Sequence, residues 1–117
     1  MTEVQPGSEN QPAKNIHPGA TIRLSESNDR FELWDNGDFI GFLGFSVNPS
    51  TDENGREVLH LQHTIISEKY GRQGYARALV TMVLDQLRKD HVQVISSCSY
   101  IDRYLQRYPE YQDMVVD

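Results

Sequence analysis

One stretch near the middle of the chain carries the clearest chemical signal: Ser67-Glu68-Lys69-Tyr70-Gly71-Arg72-Gln73-Gly74-Tyr75-Ala76. Its two glycines feed a segment whose apolar residues recur with helical spacing. The first N–H groups of a helix have no intrahelical partner, and the macrodipole places partial positive charge beside them. Small residues let an anion approach that backbone, so such a turn is suited to cradling a phosphate or pyrophosphate. Arg72 stands where a side-chain contact would help. The same glycines also suit a plain change of direction before a helix, and composition does not separate the two uses. The spacing matches neither the phosphate loop, which needs Gly-Lys followed by Ser or Thr, nor the dinucleotide fingerprint.

A few other side chains have chemistry to offer. Cys98 falls at the end of an expected strand, just ahead of a helix N-terminus. That position favours a thiolate, and it equally suits a small buried apolar residue. His63 lies on an expected strand and can act as a base, directly or through water, or serve only in packing. His60 and His63 are three apart, so regular alternation sends them to opposite faces and argues against a metal held between them. Tyr100 and Tyr104 are candidate proton donors and also ordinary packing residues. A single cysteine allows no internal disulfide and no Cys-rich metal centre. No metal site is expected.

These residues need a scaffold. The 117 residues fit one domain. Residues 1–19 are rich in Pro, Gly, Asn and Gln and poor in large apolar side chains, so they read as a flexible tail ahead of a domain spanning 20–117. The net charge of −6 argues against nucleic acid as the main partner. No apolar run approaches the length of about 20 residues that spans a bilayer. The N-terminus lacks a signal-peptide pattern. A cytoplasmic protein is the expectation.

Along the chain, 21–24 and 31–34 read as strands, and Asn36-Gly37 reads as a hairpin turn because both residues tolerate positive φ. The run 39–47 is too apolar for an exposed face and suits a central strand, with its aromatics Phe39, Phe42 and Phe45 in the core. Gly41 and Gly44 within it signal a bulge or a close backbone approach. A strand over 57–66 follows, with Leu59, Leu61 and His63 on one side and His60, Gln62 and Thr64 on the other. From Ala76 the period changes. Ala76, Leu79, Val80, Val83, Leu84 and Leu87 form the stripe of an amphipathic helix, with Arg77, Thr81, Asp85 and Arg88 off it. A short strand over 92–97 comes next. Ser99-x-x-Asp102 resembles a capping box opening a second helix, which Pro109 ends. The order predicts an α+β domain with a mixed, mostly antiparallel sheet and at least two helices.

Four segments in this order resemble one family. Leu61 to Ile66, Tyr70 to Ala76, Val94 to Ile101 and Tyr108-Pro109-Glu110-Tyr111 are similar to a short subfamily of the GCN5-related N-acetyltransferases, over roughly residues 20 to 112. The resemblance implies acetyl-CoA as co-substrate. It implies that the strand before the glycine turn splays from its neighbour, with its backbone meeting the pantetheine arm near Ile65 and Ile66. It places the pyrophosphate on Gly71, Arg72, Gln73, Gly74, Tyr75 and Ala76. It implies direct attack of an amine on the thioester, with a backbone N–H polarising the carbonyl. Cys98, His63 and Tyr104 are the residues it brings toward the chemistry. This chain departs from the pattern at four places: Gly71 stands where Arg or Gln is usual, Ile65 where Glu is frequent, Ser96 where Pro is frequent, and Tyr108 where His is frequent. Binding of the co-substrate tolerates these changes better than a catalytic assignment does. The expected activity is therefore transfer of acetyl to a small-molecule or protein amine. The alternatives are a non-catalytic acyl-CoA-binding module or partner subunit, a thiol-dependent acyl carrier or hydrolase using Cys98, and a plain interaction domain. The acceptor and the oligomeric state are not encoded in these motifs.

Overall fold

A computed structural model describes residues 13–116. Strands β1 (Ala20–Leu24), β2 (Arg30–Asp35), β3 (Asp38–Val47) and β4 (Val58–Ile66) come first, then helix α1 (Tyr75–Lys89), strand β5 (Gln93–Ser96) and helix α2 (Ser99–Arg107). Short 3-10 turns cover Glu68–Tyr70 and Pro109–Met114. The strands form one sheet in the order β1-β2-β3-β4-β5. The first three pairings are antiparallel and β4–β5 is parallel. A parallel pair needs a crossover, and α1 supplies it. This is the mixed, mostly antiparallel α+β architecture read from the sequence.

Local chemistry explains the elements. Asn36 and Gly37 have φ of 52° and 80°, which two-residue hairpin turns require. The run 38–47 is central, as its apolar character demands. A Cβ on Gly41 would lie 2.2 Å from the Ile65 carbonyl oxygen, so β3 and β4 approach there at a distance only glycine permits. The long polar loop before β4 turns on Asp52, whose carboxylate accepts the N–H groups of Asn54 and Arg56.

The helices cover one face of the sheet. Leu79, Val80, Val83 and Leu84 of α1 are fully buried against Leu33, Leu43 and Leu61 of the sheet. Each such side chain contributes about 1.5–3 kcal/mol on burial. Two expectations change here. Thr81 is buried rather than off the stripe, because α2 packs on that flank and the Thr81 and Tyr104 hydroxyls hydrogen-bond at 2.7 Å. Of the three aromatics on β3 only Phe45 enters the core. Phe42 is half-buried on the other face of the sheet, and Phe39 is 37% exposed at the hairpin end.

The folded chain reaches back before residue 20. The Lys14 carbonyl accepts the Thr81 hydroxyl, Lys14 Nζ donates to the Tyr111 hydroxyl, and His17 stacks on Tyr75 with ring centroids 3.7 Å apart. The segment from Lys14 is thus seated on α1, because His17 and Lys14 find partners there that composition does not reveal. The rest of the expected tail, 1–12, lies outside the described residues.

Tyr75, the first residue of α1, donates to Asp35 Oδ2 at 2.7 Å and ties the helix start to the end of β2. The hydrogen bond to Asp35, then burial, pushes its pKa up from 10 to about 12. A raised folded pKa means the contribution is complete below about pH 10 and is lost as pH rises from about 10 through about 12. Burial raises Tyr104 and Tyr111 in the same direction. The urea midpoint should therefore fall above pH 10. In Tyr75→Phe it should start lower and fall less steeply; equal slopes in both proteins would contradict the assignment.

Candidate active site

The site forms where β4 parts from β5. Their ladder runs from Val58–Gln93 to Leu61–Ser96. One further bond, Ser97 N–H to the Leu61 carbonyl, closes it. Beyond that, β4 continues to Ile66 paired with β3. The splay expected from the family resemblance is thus visible as a ladder that stops halfway along β4.

A bulge sits at the same place. Gly44 pairs with His63 and Phe45 with Leu61, so Gln62 is an extra residue in β4, left outside the regular ladder. It overturns the expected alternation. His63 pairs across from Gly44 and His60 across from Ser46, which puts both histidines on the outer face, away from the helices. Thr64, opposite Leu43, turns to the helix side. The earlier expectation that His60 and His63 face apart fails because an inserted residue resets the period of two. Among the described residues, no group of three His, Cys, Asp or Glu side chains is arranged to hold a metal.

After β4 the chain winds through the glycine turn. Arg72 and Gly74 have φ of 61° and 82°, a left-handed pair flanking Gln73. Gly74 is the N-cap of α1, and no side chain caps the helix. Its carbonyl accepts the first helical bond, from Ala78 N–H at 3.1 Å. The N–H groups of Tyr75, Ala76 and Arg77 therefore precede the intrahelical ladder. Ile66, Gly71, Arg72, Gly74, Tyr75 and Ala76 line one cleft of about 280 Å³. Two expected members lie apart. Ile65 is 48% exposed on the outer face, opposite Phe42. Gln73 turns away, its carbonyl held by His17 Nε2 at 2.6 Å and its amide donating to the Lys69 carbonyl.

Tyr70, Arg77 and Tyr100 complete the cleft, and the sequence reading missed Arg77 as a site residue. Its Nε is buried with no hydrogen-bond partner. A buried orphan donor on a cation beside an anion-type turn fits a bound phosphate. A signal was present: the first turn of α1 has no acidic residue and carries Arg77, against the macrodipole preference. This donor set fits the pyrophosphate of an acyl-CoA.

The remaining candidates are dispersed. Cys98 is buried and is itself the N-cap of α2, with its Sγ 3.8 Å from Thr64 Oγ1 across the opening of the splay. Ser99 is already helical and no side chain caps α2, so the expected capping box does not form. The Cys98 N–H instead reaches Ser96 Oγ at 3.3 Å. His63 is exposed and meets Phe42 edge-on, with centroids 5.7 Å apart. His60 Nε2 makes a short hydrogen bond to Ser97 Oγ. Tyr104 is buried, its hydroxyl paired with Thr81 in the core, and burial raises its pKa. Tyr100, half-buried, lines the glycine-turn cleft together with Tyr70 and Tyr75.

A mixed sheet with one splayed strand, feeding a glycine turn at a helix start, defines an acetyltransferase-type α+β domain. Residues 30–114 match the profile of a family described as GCN5-related N-acetyl-transferase. The chain belongs to that family. No curated protein matches. Among solved structures, a GCN5-like protein from Staphylococcus aureus aligns with a TM-score of 0.57 and 23% identity, over 85% of this chain and 90% of that one. A ribosomal-protein-alanine N-acetyltransferase from Brucella melitensis biovar Abortus 2308 aligns with a TM-score of 0.51 and 13% identity, over 75% of this chain and 63% of that one. At these identities the likeness is one of fold. Among the described residues, no helix is long and apolar enough to cross a membrane.

Proposed function

We propose that this protein is an acetyl-CoA-dependent N-acetyltransferase acting on a small-molecule or protein amine. One observation carries the reading: six of the residues expected to hold the co-substrate line a single cleft, beside the stretch of β4 that β5 leaves unpaired. Bound acetyl-CoA supplies an activated acyl group as a thioester. The first-turn N–H groups of α1, with Arg72 and Arg77, hold its pyrophosphate. The freed edge of β4 near Ile65 and Ile66 offers backbone donors and acceptors to the pantetheine arm. The bulge at Gln62 leaves backbone outside the ladder near the splay, where an N–H can polarise the thioester carbonyl.

In the transfer a C–N bond forms and the C–S bond breaks. The amine gives up one proton, and the departing thiolate takes one up. The outer face of β4 carries His63 and His60, and in this reading His63, the more exposed of the two, accepts the amine proton. Tyr100 is better placed than Tyr104 to protonate the thiolate, because the Tyr104 hydroxyl already serves Thr81. Cys98 acts by shaping the opening rather than as a nucleophile, since it is buried against Thr64.

The test is acetyl transfer to a panel of small amines and peptide amines, with Cys98→Ala alongside. Turnover is expected with at least one acceptor. The variant should lose less than about tenfold in kcat, and mass spectrometry should find no acetylated Cys98. An acetylated Cys98 that an amine discharges would replace direct attack with a covalent route. Binding without turnover on any amine would favour a non-catalytic acyl-CoA-binding module. That second reading draws on Ile65, which stands exposed where the resembling subfamily often has Glu.

A further inference from the structure

The segment ahead of β1 grips the glycine turn at one peptide group. His17 Nε2 lies 2.6 Å from the Gln73 carbonyl oxygen, and a carbonyl only accepts, so the imidazole is the donor. His17 is itself held at three points. Its ring stacks on Tyr75 with centroids 3.7 Å apart. Its N–H donates to Asn15 Oδ1 at 2.8 Å. Its carbonyl accepts the Ala20 N–H at 3.0 Å. Among the described residues no peptide bond is cis, and in a trans peptide the carbonyl and the following N–H point in opposite directions. With the Gln73 carbonyl drawn to His17, the Gly74 N–H faces the other way. That other side is the cleft, which Gly74 lines and Gln73 does not. Among the described residues the Gly74 N–H has no backbone partner. Glycine leaves this orientation open to choice. Gly74 has φ of 82°, and a glycine adopts negative φ about as readily. Turning the Gln73–Gly74 peptide over would aim a carbonyl oxygen into the cleft, where Arg77 and its unpartnered Nε stand ready for an anion.

We propose that His17 is a positioning residue for the co-substrate: it pins the Gln73–Gly74 peptide so that the Gly74 N–H donates to the pyrophosphate. This rests on the acetyl-CoA reading and deepens it. His17 acts through Gln73 and does not itself touch the ligand. It stands outside residues 30–114, the span that matches the family profile, so this control of the turn comes from the segment before β1. The stack on Tyr75 orients the ring, and the Nε2–H supplies the constraint. A hydrogen bond from a backbone N–H to an ionised group is roughly twice as strong as a neutral one. Its loss is large enough to read as a change in affinity.

The test is calorimetric titration of the full chain with acetyl-CoA, for wild type, His17→Phe and His17→Gln, with amide NMR on the same samples. His17→Phe keeps a ring against Tyr75 and removes the donor. His17→Gln restores an N–H at a similar reach. In the wild type the Gly74 amide proton should move downfield on adding acetyl-CoA, as a new hydrogen bond to an anion requires. His17→Phe should bind about tenfold more weakly, with an unchanged melting temperature and a smaller shift at Gly74. His17→Gln should recover most of the affinity. Binding of His17→Phe at the wild-type affinity would overturn the assignment and leave the acetyl-CoA reading standing. So would a Gly74 amide that stays in place in the wild type. A loss in His17→Phe that comes with a lowered melting temperature and is not recovered in His17→Gln would also overturn it, because packing alone would then explain the contact. Absence of binding by the wild type would remove the acetyl-CoA reading and this inference with it.

Discussion

Gly74→Glu abolishes saturable acetyl-CoA binding: affinity should fall at least about a hundredfold, equivalent to about 2.7 kcal/mol, while circular dichroism retains the helices and sheet. Three effects act together. Gly74 has φ of +82°, and a side chain in that left-handed region costs about 1–2 kcal/mol. A Cβ there would lie 3.1 Å from Ile16 Cδ1 and 3.4 Å from Arg77 Nη2, so the new side chain starts among the groups that border the turn. Its carboxylate then competes for the helix N-terminus and for Arg77, and it repels the pyrophosphate. Gly74→Asn separates these effects, because Asn tolerates the left-handed region and carries no charge. It should bind acetyl-CoA more weakly than wild type but far better than the Glu variant. Normal binding by Gly74→Glu would show that the turn only redirects the chain.

Gly41→Ala should cost about 3 kcal/mol of unfolding free energy or more, a large part of the 5–15 kcal/mol that holds an ordinary domain together. The added methyl would lie 2.2 Å from the Ile65 carbonyl oxygen and 2.9 Å from Ile66 Cα. Both are backbone, so neither can swing away, and the strands must separate where β4 borders the cleft. Two other glycines are the controls. A Cβ on Gly44 meets mainly the His63 ring, which can rotate. Gly55 has φ of +79° and nothing within 4 Å, so alanine there costs only the backbone strain of about 1–2 kcal/mol. Urea unfolding of the three variants should rank Gly41→Ala well below the others. A Gly41→Ala midpoint equal to that of Gly44→Ala would mean that the close approach of β3 and β4 does not constrain the site.

Much of this architecture is written in local chemistry. The Asn36-Gly37 hairpin, the central apolar strand, the amphipathic α1 and the glycine turn each announce themselves through a residue type at a required spacing, and each stands where that spacing puts it. What failed to show was non-local or broke a period. The bulge at Gln62 has no glycine within β4 to mark it; its signal lay across the ladder at Gly44, so alternation carried along β4 alone places His63 beside Leu61 instead of beside His60. Thr81 is buried only because α2 arrives with Tyr104 to satisfy its hydroxyl. The seating of Lys14 and His17 on α1 depends on partners 56 to 97 residues away. Arg77 was readable in principle, because a cation in the first turn of a helix opposes the dipole unless an anion offsets it. The site was therefore legible as a phosphate-type turn, and much less so as a set of catalytic side chains. Cys98, His63 and Tyr104 were drawn together by family resemblance, whereas the fold leaves one buried at the mouth of the splay, one on the outer face and one in the core.

The most direct measurement is calorimetric titration of the purified chain with acetyl-CoA, with free coenzyme A as comparison. The account predicts saturable binding of both at a stoichiometry of about one per chain, because the pyrophosphate and pantetheine contacts are common to both ligands. Absence of binding at millimolar ligand would contradict it, and would leave the fold without the co-substrate that the glycine turn is proposed to hold.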